Sequence, residues 1–170
     1  MKILIYILIG GLFTMATCNL FEDLRTVNLT QTFSHTEDIS ISEMDPLTIN
    51  EEFTVNATSN SKIDQYRDKI KSYTVEKISY QILNYVGAPG ITMTGTIEFG
   101  AVSASISSLD LSDNTVTDLG FDPADLAEVA QELEDGNDVT GAIVGSVSDT
   151  PVDFTLKLIF DVAFEAEVLE

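Results

Sequence analysis

Hydrophobic residues take every second position through the last stretch of the chain. From Val152 to Val168 the even positions are Val152, Phe154, Leu156, Leu158, Phe160, Val162, Phe164, Ala166 and Val168, and the odd ones, beginning Asp153, Thr155 and Lys157, are mostly polar. A period of two is that of a strand with one face on a core and the other on water. At roughly 3.3 Å per residue the run would reach about 55 Å, longer than strands usually are, so it is expected to bend, bulge or cross between sheets. Ile159 and Ala163 interrupt its polar face. Either a helix covers them, or they mark an edge open to strand addition.

The same alternation recurs upstream. Ile39 and Ile41 begin it, Asp45-Pro46 reads as a turn, and Leu47, Ile49, Phe53, Val55 and Ala57 keep the odd phase, with Glu51 as a break that predicts a bulge or turn. Val75 and then Ile78, Tyr80 and Ile82 lead to Gly87-Ala88-Pro89-Gly90, after which Ile91, Met93, Gly95, Ile97 and Phe99 alternate again. Two such runs joined by a short Gly/Pro turn predict a hairpin. The phase slips at Gly100, since Val102, Ala104 and Ile106 are even, which predicts a bulge or corner. Val139 to Val147 is a further strand, in which the small Gly141 and Gly145 leave room for Phe154 or Phe160, and Ser148-Asp149-Thr150-Pro151 turns it into the final one.

Two segments change period. Ile63, Tyr66, Ile70 and Tyr73 are spaced by three, four and three, a helical stripe over residues 61–73. Lys62, Arg67, Lys69 and Lys71 flank it, and five of the eight basic residues lie between Lys62 and Lys77. This basic face either pairs with nearby acids such as Asp64 and Asp68 or forms a contact surface for anionic headgroups or an acidic partner. The second segment carries its own punctuation: Asp122 as N-cap, Pro123 at the first helical position, Leu126, Val129, Ala130 and Leu133 on one face, and Gly136 past the end.

The fold class that follows is mainly β: an antiparallel two-sheet sandwich, immunoglobulin-like or similar, of seven or so strands with two short helices. Its 170 residues are enough for one domain with a real core. The division expected is a signal segment over 1–17, an N-terminal tether without clear period over 18–35, and one β-sandwich domain over 36–170.

Charge and address narrow the function. Twenty-eight acidic against eight basic residues give a net charge of −20, which makes nucleic acid an unsuitable partner, because phosphate backbones are bound by concentrated Lys and Arg. Lys2, the apolar run Ile3 to Phe13 and the short exit Met15-Ala16-Thr17 have the form of a secretory signal, too short to span a bilayer. Cys18, the only cysteine, follows immediately. Its position resembles the lipobox of bacterial lipoproteins, and the resemblance implies that Cys18 is acylated and becomes the mature N-terminus. Removal of Lys2 and no acid would make the mature charge −20 − 1 = −21.

The catalytic inventory is thin. One histidine, His35, and one cysteine are too few for a zinc site of nitrogen and sulfur ligands, and a triad would have to use His35 at the end of the expected tether. The chain is therefore expected to be no enzyme and to need no cofactor. Calcium is the one small ligand with candidate residues: Asp110, Asp113, Asn114 and Asp118 on one loop, and Glu134, Asp135, Asn137 and Asp138 around Gly136, all hard oxygen donors without EF-hand spacing.

With the lipobox and the β body, the closing pattern Gly145-Ser146-Val147-Ser148-Asp149-Thr150-Pro151-Val152-Asp153-Phe154 resembles a group of small β-sandwich lipoproteins of Bacteroidota, a likeness that implies no activity. The expected function is a membrane-anchored envelope lipoprotein of the outer membrane, on its periplasmic or surface face, serving as a non-enzymatic interaction or structural module. Its partners would be the bilayer, through Cys18, and an envelope protein. Two alternatives stand beside it: an apolar-ligand or lipid carrier, which needs a void between the sheets, and a calcium-dependent adhesion or glycan-binding module.

Overall fold

In the computed structural model, which describes residues 26–134 and 138–167, the alternating segments become eight strands in two antiparallel sheets. They are β1 (Thr26–Ile41), β2 (Thr48–Val55), β3 (Ile70–Gly87), β4 (Thr92–Phe99), β5 (Val102–Asp110), β6 (Thr117–Asp118), β7 (Val139–Val147) and β8 (Val152–Glu167). Two α-helices, α1 (Ser61–Gln65) and α2 (Pro123–Glu134), interrupt the series. One sheet runs β1-β8-β3-β6 and the other β2-β7-β4-β5.

The pairing has a simple rule: first strand with last, second with seventh, third with sixth, fourth with fifth. An eight-stranded ribbon doubled on itself and rolled into two layers gives this order, the jelly roll. Among the described residues only β4 and β5 form a tight hairpin, through Gly100, whose φ of 56° supplies the left-handed first corner of a two-residue turn. Gly87 to Gly90, expected to close a hairpin, instead carries the chain from one sheet to the other, and Ser148 to Pro151 does the same. An immunoglobulin-like order would need consecutive strands to pair more often.

Strand β8 is the axis of its sheet. All its even residues from Val152 to Ala166 are buried, and it lies between β1 and β3, so Ile159 and Ala163 are not at an edge. Ile159 sits half-buried on the outer face between Ser34 and Ser79. The strand neither bulges against β1 nor changes sheet; its length is accommodated by three register shifts in its other partner, β3. One of them, at Glu76, moves the buried set from Tyr73 and Val75 to Ile78, Tyr80 and Ile82.

Four further expectations are corrected. Residues 26–35 belong to β1, paired in unbroken register with β8, and are not a tether. Their inward positions continue the phase of Ile39 and Ile41 through Val27, Leu29 and Phe33, but Gln31, His35 and Glu37 obscure it. The helix expected over 61–73 stops at Gln65, and Ile70 and Tyr73 are already in β3, facing Ala166 and Phe164. Glu51 makes no bulge, for β2 pairs with β7 from Thr48 to Val55 without a shift. Gly141 admits a bulky neighbour as expected, but the ring nearest it, which a Cβ there would overlap, is that of Phe53, while Gly145 faces Gly95 across the sheet.

The space between the sheets is filled by aromatic rings in contact. Phe33 stacks on Phe160 at 4.9 Å, Phe99 meets Phe160 edge-on at 5.6 Å, and Phe53 meets Phe99 at 5.7 Å. Phe99 and Phe160 belong to opposite sheets and are both essentially inaccessible. A carrier would need a void there, and these rings occupy the place for one.

Candidate functional site

The loop from Leu111 to Phe121 ends in three local hydrogen bonds that place α2. Asp118 accepts from Gly120 N–H at 2.8 Å, and Gly120, at φ 71°, turns the chain off β6. Asp122 then caps the helix, accepting from the N–H groups of Ala124 at 2.8 Å and Asp125 at 3.0 Å, with Pro123 at the first helical position as expected. Val129, Ala130 and Leu133 are buried. Leu126 is left half-buried beside β3.

Between α2 and β3 lies a groove of about 540 Å³. Residues 73–76 of β3 form one wall, and Leu126, Ala127 and Ala130 of α2 form the other, with Glu76 and Glu134 among the lining side chains. Tyr73, 6 % exposed, packs its ring against Phe164 at 6.3 Å, and its hydroxyl has no hydrogen-bond partner among the protein atoms. Burial pushes its ionisation well above the ordinary tyrosine value. Glu134, named from the sequence as a calcium ligand, belongs to this groove.

The acidic loop does not converge. Asp110 accepts from the N–H of Ser112 at 2.9 Å and its hydroxyl at 2.7 Å, and Asp113 from the N–H of Thr115 at 2.9 Å and its hydroxyl at 2.5 Å. These bonds hold both carboxyls below their ordinary ionisation range, and both are fully exposed. The backbone carbonyl of Asn114 accepts from Gln81 Nε2 at 2.8 Å. Each acid therefore closes its own turn. Among the described residues no three His, Cys, Asp or Glu side chains are grouped to hold a metal ion. Asp138 is exposed before β7, and Asp135 and Asn137 lie outside the described residues.

The basic face is not a uniform one. Arg67 pairs with Asp64 at 2.6 Å and Lys71 with Glu167 at 3.7 Å; Lys62 borders a small groove with Leu29, Tyr66 and Phe164. Val27, Ala166 and Ile70 lie side by side across the sheet, so this segment stands at the end where β1 begins. Four cations there, Lys62, Arg67, Lys69 and Lys71, stand with four carboxylates, Asp64, Asp68, Glu165 and Glu167. Among the described residues these charges cancel, on an acidic body.

His35, expected in a loose segment, is fixed within β1. Its Nε2 lies 3.2 Å from Glu37 Oε2 and its ring stacks on Phe53 at 5.2 Å. On the outer face, polar groups bind β8 to its neighbours: Thr155 donates to Asp38 at 2.6 Å and accepts from Asn84 at 3.3 Å, while Asp161 accepts from Thr32 at 2.7 Å and pairs with Lys77 at 3.3 Å. Sequence reasoning missed the groove; the one signal in the sequence was the small Ala127 beside Leu126 on α2.

Cys18 lies outside the described residues, and among the described ones no helix is long and apolar enough to cross a membrane. No family model and no curated protein matches the chain. Among solved structures, the chain is similar to the capsid protein in a crystal structure of decameric BFDV capsid protein, with a TM-score of 0.51 at 10% identity, covering 81% of this chain and 99% of that one. A structure of turnip yellow mosaic virus aligns over 85% of this chain and 96% of its own, with a TM-score of 0.41 at 7% identity. At such identities the first likeness concerns the fold alone, and it agrees with the jelly-roll order of the strands.

Proposed function

We propose that this protein is a membrane-anchored lipoprotein of the bacterial envelope, acylated at Cys18, whose jelly-roll domain serves as a non-enzymatic interaction or structural module at the outer membrane. The observation that carries this reading is the lipobox-like placement of Cys18 directly after the signal-like segment, and the path from it to the domain is short. Only Asn19 to Arg25, seven residues, separate it from the start of β1, and fully extended they reach at most about 28 Å. An 18-residue tether would have let the domain stand clear; this one holds it near the headgroups.

Charge supports an orientation. Among the described residues, the charges at the end of the domain where β1 begins cancel, while the chain as a whole carries −20. An anionic surface repels that end least, so it faces the bilayer. Sole possession of His35, held by Glu37 and Phe53, favours a structural use of that residue over a catalytic one.

Expression with radiolabelled palmitate tests the anchor. Label is expected on the wild-type protein in the outer-membrane fraction and lost in Cys18→Ser; an unlabelled wild type sinks the reading.

A further inference from the structure

Strand β3 has one edge that its own sheet leaves unfinished. Against β8 it is paired throughout, but on the other side β6 takes up only Ser79 and Tyr80, and Leu119 N–H adds one bond to the Ile78 carbonyl at 3.0 Å before Gly120 turns the chain away. The next stretch, Ser72 to Val75, lies between register shifts at Lys71 and Glu76 and meets no strand on that side among the described residues. It borders the groove under α2.

We propose that this groove binds an extended, basic peptide segment of a partner protein, added to β3 as a short strand in line with β6. This occupant deepens the interaction-module reading, on which it rests. Successive strand residues turn their N–H and C=O groups to opposite sides, so alternate residues of Ser72–Val75 offer a donor and an acceptor to an incoming backbone. Ala127 and Ala130 are small, which leaves about 540 Å³ for side chains on the apolar wall they form with Leu126. Glu76 and Glu134 complement Lys or Arg on the peptide, and a chain of net charge −20 repels an acidic segment. The competing account is that α2 merely blunts the edge against aggregation.

The test uses the full-length protein in detergent with two probes, acetyl-Lys-Val-Lys-Val-Lys-Val-amide and its glutamate counterpart, and reads backbone amide shifts and affinity. The lysine peptide is expected to bind and to move the amides of Thr74 and Val75, the glutamate peptide not. Ala127→Trp, which fills the groove, should weaken binding by about tenfold. Paired Glu76→Lys and Glu134→Lys substitutions should weaken binding of the lysine peptide and guard against an Ala127→Trp that fails to fold. Unmoved amides, or an affinity indifferent to both variants, mean that the peptide meets only the acidic surface at large or that α2 is a cover, and either overturns the inference. Crosslinking in intact envelopes separates the two levels. A reproducible partner retained by Ala127→Trp leaves the module reading standing without this groove, whereas no partner on the wild type removes both.

Discussion

Phe33 of β1 and Phe160 of β8 occupy opposite positions in the register and stack face to face, 4.9 Å between centroids and 5° from parallel. Phe160 also receives Phe99 from the other sheet at 5.6 Å, so a single ring ties the edge strand to the axis of its own layer and both layers together. Phe160→Ala is accordingly expected to cost about 3–5 kcal/mol, the range for emptying an aromatic site in a packed core. Phe33→Ala should cost less, since that ring lies on an edge strand and the site can collapse. Urea midpoints of the two variants decide it; equal losses would show that the bridging role of Phe160 adds nothing.

Gly95 and Gly145 face each other between β4 and β7. A Cβ on Gly145 would stand 2.5 Å from the Thr94 carbonyl oxygen and 2.9 Å from Gly95 Cα, backbone atoms with little freedom to move. Replacing glycine by alanine normally stabilises a tolerant site by about 0.4–1 kcal/mol through the unfolded chain. Here the strain dominates, and Gly145→Ala should destabilise by about 1–3 kcal/mol. A raised thermal midpoint in Gly145→Ala would contradict this.

The buried Tyr73 hydroxyl predicts a loss of stability in alkali. Its folded ionisation lies above the ordinary value of 10.0, so its contribution is complete below that value and is lost as pH rises past it, because the unfolded chain ionises first. Urea unfolding at about pH 8 and about pH 11 should show this fall, and Tyr73→Phe should lessen it. At neutral pH the same variant removes a desolvated group without a protein partner, and its stability is expected to equal or exceed that of the wild type by up to about 2 kcal/mol.

Asp110 and Asp113 predict the opposite trend at the other end of the scale. Both carboxyls ionise below their ordinary value of 3.8 because each accepts two bonds from its own turn. What they contribute is present above that value and lost as pH falls through the folded one. Both are fully exposed, so the effect is local: the protection factors of the Ser112 and Thr115 amides should fall as pH drops below about 4, with those of the β-sheet amides unaffected. Asp110→Asn and Asp113→Asn, which cannot ionise, should flatten the profile.

Local rules were legible wherever one segment carries its own signal. The even residues of β8 point inward as their period requires, and α2 begins where Asp122 and Pro123 place it, since caps and alternation are properties of neighbouring residues. β1 was harder to read because inward positions held polar side chains, although its run of Thr and Ser at the outward ones favours a strand. The groove was illegible because its walls, residues 73–76 and 126–134, are distant in sequence.

By itself, then, the sequence determined a mainly β chain with an apolar-faced final strand, a capped second helix and a strongly acidic surface. Only the tertiary structure decided that Gly87–Gly90 and Ser148–Pro151 bridge two sheets instead of closing hairpins, that β8 lies at the centre of its sheet, and that the stripe over 61–73 gives way to a strand at Ile70. The reason is physical: a short Gly/Pro turn reverses the chain equally well within a sheet or between sheets, and the choice falls to whichever pairing buries Phe99 against Phe160.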